Sequence, residues 1–285
     1  MRRKVNTVKT QALGKAIVRG LIDFFRDEGF LLAGSLSFFF MMAIVPFCLI
    51  MVTILGYSLG ENQEFQGFLT SKLVSFFPRI TEEITGELRK LITFKGLGAY
   101  SLLIYTVLSY ELFATLERAM NITFKTKAKR HFILSFLLSI AFVTLVIAAL
   151  VASFGLSSLI PAIKGLQRFI PGLRIGVITG FLIGYAIPFL LIFMIATTIY
   201  SLLPKMRVRL RHAATGAFIT ALLLEPAKHA FTFYVLKVSR LGTIYGPLSA
   251  IVIFLLWVYY SSCILLIGAE IVHNLEAGRK GSSSR

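Results

Sequence analysis

Long apolar runs alternate with short basic stretches along this chain. Six runs stand out, at 30–59, 96–116, 132–160, 175–203, 213–236 and 242–269. Each holds the ~20 residues that an α-helix needs to cross ~30 Å of hydrocarbon. Water cannot satisfy backbone N–H and C=O groups at that depth, so runs of this kind must be helical. The expected fold is therefore all-α, an integral membrane bundle of six helices filling residues 30–277. The first run has no charge between Phe30 and Gly60, and it starts too late for a signal-peptide core, so it reads as a retained span.

Three stretches outside the runs carry their own patterns. Residues 1–29 repeat Val8, Ala12, Ala16, Gly20 and Phe24 every fourth position, with Lys9, Lys15 and Arg19 between them. This spacing predicts a basic amphipathic helix on the inner leaflet. The connection 61–95 places Phe65, Phe68, Leu69, Leu73 and Phe76 on a helical period, then Ile80, Ile84, Leu88 and Leu91 after Pro78. It predicts two short helices in the first outer loop. Residues 278–285 read as a polar, disordered tail.

Charge sets the orientation. The N-terminal segment holds seven Lys and Arg, the second-to-third connection five, the fourth-to-fifth four and the C-terminus three. The remaining connections hold ten against these nineteen. The positive-inside rule then puts both termini in the cytoplasm.

The formal charge of +17 offers two partners, nucleic acid or anionic lipid headgroups. The bases sit between apolar spans and not on a soluble face, so lipid is the expected partner and nucleic acid is not. With 56% of residues apolar, one globular core could not hide the excess. The cysteines, Cys48 and Cys263, lie inside apolar runs, and the four histidines show no metal-ligand spacing. No phosphate loop or hydrolase motif occurs, so neither cofactor, metal nor enzymatic activity is expected.

Polar residues inside the runs carry what chemistry remains. In the fifth run Glu225, Lys228 and His229 stand at i, i+3 and i+4 and share one helix face, with Pro226 weakening the helix beside them. An ionisable group at bilayer depth costs about 2.5–3.5 kcal/mol on insertion scales, so each should face protein or water. The trio reads as a substrate or proton site in a bent helix; the competing reading is a Glu–Lys pair that joins two helices. Glu111, near the inner end of the second run, joins this set of candidates, with snorkelling or pairing to Arg118 as the plainer account. Glu270 reads as an interfacial anchor and Trp257 as a packing residue. Pro46 and Pro188 fall mid-span in the first and fourth runs, and Gly246-Pro247 opens the sixth. Ala43-Ile-Val-Pro46-Phe47 and Ala186-Ile-Pro188-Phe189 would correspond if the chain were an inverted repeat of three plus three helices. Connections of very different length argue against that repeat.

Five segments resemble, in order, the YihY/BrkB family of bacterial inner-membrane proteins. They are the small-and-aromatic run from Ala33 to Pro46, and Leu112-Phe113 through Ala119-Met120-Asn121. Then come Leu203-Pro204 with the basic stretch to Arg211, and Glu225 and Lys228 with Phe231 and Tyr234. The last runs from Ile244-Tyr245-Gly246 through Trp257 to Gly268-Ala269-Glu270. Pro226 and His229 do not map onto the pattern. The resemblance implies a polytopic protein of the bacterial inner membrane with no settled activity. The family once carried a ribonuclease label, which this sequence opposes: no paired carboxylates or histidine cluster lie on a soluble face. A lipid or glycolipid transport role and envelope functions have been associated with it. The first expectation is thus a transporter or flippase-like protein for an amphipathic envelope molecule. The second is a membrane scaffold for envelope assembly, without transport.

Overall fold

A computed structural model describes residues 2–43, 99–126, 133–135, 137–138, 141, 185–238 and 245–283. Every regular element among the described residues is helical. In chain order they are α1 (Arg2–Arg26), α2 (Gly29–Ala43), α3 (Ala99–Thr123), α4 (Ile187–Leu202), α5 (Leu210–Phe233) and α6 (Ser249–Ser283). A π-helical turn, Tyr234–Val238, follows α5. A 3-10 turn, Gly246–Leu248, opens α6, with Gly246 in the left-handed region at φ +53° and Pro247 in the turn. Five of the six expected runs thus contain a described helix, and the third shows helical residues only at 133–135, 137–138 and 141. The expected outer-loop helices at 61–95, Cys48 and Pro46 lie outside the described residues, and with Pro46 goes the proposed superposition of the two halves.

Two C-terminal boundaries lie well past the expected ones. The helix expected to end at Leu116 continues to Thr123, and the one expected to end at Ala269 continues to Ser283, through residues expected to be a disordered tail. Both extensions carry polar residues past the apolar run. Hydropathy marks only the part of a helix that lipid would cover, whereas packing partners decide where the helix stops. Among the described residues, one helix is long and apolar enough to cross a membrane, Ile251–Arg279; α2 and α4 are apolar but shorter.

Several hydroxyls within the apolar helices are satisfied by their own helix. Ser37 donates to the Ala33 carbonyl at 2.6 Å, Thr197 to Phe193 at 2.6 Å and Thr232 to Lys228 at 2.8 Å. Back-bonding of this kind removes the cost of a bare hydroxyl in an apolar surround. Large apolar side chains face outward on several helices, among them Phe38 on α2, Leu190 and Met194 on α4, and Phe218, Leu222 and Leu223 on α5.

The chain divides into two compact units, and neither matches a half of the sequence. The first gathers residues 1–27, 119–226 and 264–285. Its core is a seam of small residues: Ala213, Ala217, Thr220 and Ala221 on α5 are fully covered, as are Ala196 on α4 and Ala269 on α6. Glycines set the approach: a Cβ on Gly268 would collide with the Thr220 and Tyr200 hydroxyls, and one on Gly216 with Val272. Small residues at such seams let backbones approach closely where no hydrophobic force operates between helices. The buried Tyr200 hydroxyl, donating to the Leu265 carbonyl at 2.7 Å and bonded to Thr220 Oγ1 at 2.8 Å, ties the three helices together.

The second unit gathers residues 28–118 and 227–263. Its described packing is aromatic, with ring pairs Phe40–Phe254 at 6.4 Å, Phe231–Trp257 at 5.2 Å and Trp257–Tyr260 at 6.5 Å. Trp257 is a packing residue, as its mid-run position suggested.

Candidate functional site

Two sets of charged residues compete for attention, and the first lies at the polar end of the first unit. Here the extensions of α3 and α6 meet α1 and the start of α5. Glu276, on the last turns of α6, has a fully buried carboxylate. It accepts from Arg279 Nη2 at 2.7 Å and Nε at 3.0 Å, meets His212 Nδ1 at 2.6 Å and receives the Arg209 backbone N–H at 3.4 Å. Arg209 precedes α5, so the carboxylate also sits where the first N–H groups of that helix lack intrahelical partners.

Asn121 makes a second tie. Its Oδ1 accepts the Lys205 backbone N–H at 3.0 Å and the Thr126 hydroxyl at 2.9 Å, linking the end of α3 to the α4–α5 connection.

A third tie holds α1. Asn274 donates to Asp23 at 2.9 Å, and Lys125 Nζ lies 3.1 Å from Asp27 and 3.7 Å from Asp23. Burial alone would raise the Asp23 carboxyl; the Asn274 hydrogen bond, with Lys125, Arg26 and His273 nearby, outweighs it and holds that group below its ordinary value. Lys125 earns notice for its backbone. α3 ends in a Schellman turn, with Lys125 N–H bonded to the Ile122 carbonyl and Thr126 N–H to that of Asn121. Its left-handed position, normally glycine, is Lys125 itself at φ +52°. A side chain there costs roughly 1–2 kcal/mol of backbone strain, and the contacts to two α1 carboxylates are what offset it.

Glu270 corrects the sequence reading. Expected as an interfacial anchor, it is 1% exposed, because α1 lies over this turn of α6 so closely that a Cβ on Gly20 would come within 2.8 Å of Ile271. None of Glu276, His212, Asp23, Asn274 or Lys125 was singled out from sequence as a site. Their spacing carries no signal, since each pair joins segments far apart in the chain. The one available hint was that all four basic segments should lie on the same side. They do meet here: α1, the end of α3, the α4–α5 connection and the end of α6 form one polar network.

The second set is the one the sequence proposed. Glu225 and Lys228 are half-buried and His229 is exposed, all on α5, with the apolar Leu222 and Leu223 exposed one turn before them. Pro226 lies inside α5, which runs through it to Phe233, and an irregular π-helical turn follows at Tyr234–Val238. Pro226 is also where the first unit ends, so Glu225 belongs to one unit and Lys228 and His229 to the other. Glu111 is half-buried on α3 and Arg118 on the same helix is exposed. Pro188 stands in the first turn of α4, directly after a π-helical step at Tyr185–Ala186. The structure does not bring Glu111, Pro188 and the Glu225 trio together in either unit.

Helices alone among the described elements, small-residue seams, outward apolar side chains and polar groups gathered at one end are features of α-helical membrane proteins. The chain belongs to the Virulence factor BrkB family, whose profile matches residues 22–284. A UPF0761 membrane protein of Legionella pneumophila strain Philadelphia 1 is 28% identical over 265 residues, which cover 90% of this chain and 62% of that protein. One from Chromohalobacter salexigens is 32% identical over 267 residues, covering 89% and 62%. One from Pseudoalteromonas atlantica is 28% identical over 253 residues, covering 88% and 82%. The chain thus spans under two thirds of the length of the Legionella relative. No solved structure matches it.

Proposed function

We propose that this chain is a polytopic protein of the bacterial inner membrane, with six spans and both termini cytoplasmic, that moves an amphipathic envelope lipid or glycolipid between leaflets. The observation that carries the reading is the placing of three ionisable side chains on α5, with Glu225 and Lys228 half-buried and His229 exposed. Glu225 stands twelve residues, ~18 Å, along the helix from Ala213 and therefore at hydrocarbon depth. An acid and two bases there are costly unless something polar meets them. Leu222 and Leu223 stand exposed on the same helix, so α5 presents polar and apolar side chains suited to a molecule with a polar head and apolar tails. The meeting of all four basic segments at one end of the first unit supports the orientation, since the positive-inside rule requires them on one side.

A scaffold reading has one observation in its favour, the dense seam and polar network of the first unit, which suit a rigid body. Reconstitution separates the two. In phosphatidylcholine vesicles containing phosphatidylglycerol and a trace of nitrobenzoxadiazole-labelled lipid, dithionite bleaches only outer-leaflet label. The transport reading predicts that the protein raises the bleached fraction above the outer-leaflet share. A bleached fraction equal to that of protein-free vesicles, for both phospholipid and glycolipid probes, would leave the scaffold standing.

A further inference from the structure

The pattern in α1 that suggested a lipid-facing helix is used for something else. Ala16, Gly20 and Phe24 are buried, and Gly20 packs against Ile271. The face read from the sequence as touching the leaflet is the face docked on the protein's own α6. Rotation of α1 about its axis is fixed by the polar ties on the same side, Asp23 to Asn274 and Asp23 and Asp27 to Lys125.

That docking leaves a different face outward. Val18, Leu21, Ile22 and Phe25 stand at i, i+3, i+4 and i+7, a continuous stripe, and are exposed, Phe25 by 66%. Lys15, Arg19 and Arg26, also exposed, form a second stripe beside it. Asp23 and, just past α1, Asp27 are engaged by Lys125 and by Arg26, so on the stretch from Lys15 to Ile22 the outward surface is apolar and positive. The anchors lie beyond the apolar runs: Ile271 and Asn274 past the sixth, Lys125 past the second. The helix is therefore held at the inner, basic end of the molecule.

We propose that the outward face of α1 is a docking surface for anionic phospholipid headgroups of the inner leaflet. Val18, Leu21, Ile22 and Phe25 enter the acyl boundary, and Lys15 and Arg19 meet the phosphates, while Arg26 stays paired with Asp23 and Asp27. The chemistry fits on two counts. An apolar stripe alone would suit any lipid or protein, but the adjoining basic stripe selects negative charge. The inference rests on the inner-membrane reading given above and adds the surface and the lipid class to it.

The test uses the full chain with Trp257→Phe and Ile22→Trp, so that one indole reports on the stripe. Carbonate-washed flotation with vesicles first checks membrane insertion; failure there overturns the membrane reading itself. In phosphatidylcholine–phosphatidylglycerol vesicles with acyl chains brominated near the headgroup, the indole at position 22 should be quenched by lipid and shielded from aqueous iodide. Adding Lys15→Glu and Arg19→Glu should remove most of the lipid quenching in these vesicles but not in pure phosphatidylcholine, with the thermal midpoint unchanged. Quenching by iodide without lipid quenching in a protein that floats would overturn the proposal, placing the stripe in water. Shielding from both quenchers would also overturn it and point to a protein partner or a second copy. Lipid quenching indifferent to the charge reversal would overturn the assignment to anionic lipid.

Discussion

Glu276 and Glu225 are the same side chain on two helices of one protein, and their surroundings are opposite. Glu276 is fully buried, with His212, Arg279 and a helix-start N–H directed at its two oxygens. Glu225 is half-exposed on a helix whose neighbouring leucines face outward. A buried carboxylate held by several donors is a structural element, since removing it strands the donors. A half-exposed carboxylate is less desolvated and contributes less to the fold. By its surroundings Glu276 is assigned to holding the fold, and it is the transport proposal that assigns Glu225 to function.

The sharpest way to break the comparison is to remove the buried acid. Glu276→Ala strands Arg279 and His212 and bares the start of α5, and should cost about 3 kcal/mol, the lower end for a broken buried pair because Arg279 keeps some solvent. The readout is loss of membrane-inserted protein and a large drop in thermal midpoint by fluorescence-detected size exclusion. An unchanged midpoint would mean that the network is ornamental. Next in size is Gly268→Ala, which drives a methyl into the Tyr200 and Thr220 hydroxyls and should cost about 1–3 kcal/mol. The same assay reads it, and the smaller Ala should be worse tolerated here than Ala at Gly14, where a Cβ meets nothing within 4 Å.

Much of the fold was legible because hydrophobic periodicity is a local signal. The apolar runs mark α2 to α6, and the basic stretches between them separate one run from the next. What was not legible is pairwise. Nothing local in Glu276 announces His212, sixty-four residues away, and nothing in Lys125 announces a left-handed backbone. The α1 pattern shows the limit most clearly: every fourth residue was apolar, as read, yet that stripe faces the protein, because periodicity gives a face and not its partner. At the candidate site the trio on α5 was named from its sequence spacing alone, and Pro226 stands inside a helix that continues past it. A proline removes one hydrogen bond but does not by itself end a helix that neighbours hold.

Smaller effects sharpen the structural half. Lys125→Gly relieves the left-handed strain while losing the contacts to Asp23 and Asp27; Lys125→Ala loses the contacts and keeps the strain. The glycine variant should be the more stable of the two by about 1 kcal/mol in chemical denaturation. The reverse order would mean that the backbone strain is negligible. Because the Asp23 carboxyl is held below its ordinary value of 3.8, its contribution is fully present above that pH and is lost as pH falls through the lower folded value. Asp23→Asn should therefore flatten the fall in stability below about pH 4, leaving the rest of the profile unchanged. An equally steep acid limb in the variant would assign that fall to other carboxylates.

The comparison turns finally on Glu225→Gln, which keeps shape and removes charge. Thermal midpoint and labelled-lipid bleaching should be measured on the same reconstituted sample, beside Glu276→Gln. The account predicts stability within about 0.5 kcal/mol of the parent for Glu225→Gln, with the protein-dependent bleaching lost, and the opposite pattern for Glu276→Gln: lower stability, with bleaching per folded molecule retained. A Glu225→Gln protein that unfolds early while its folded fraction still moves lipid would contradict it.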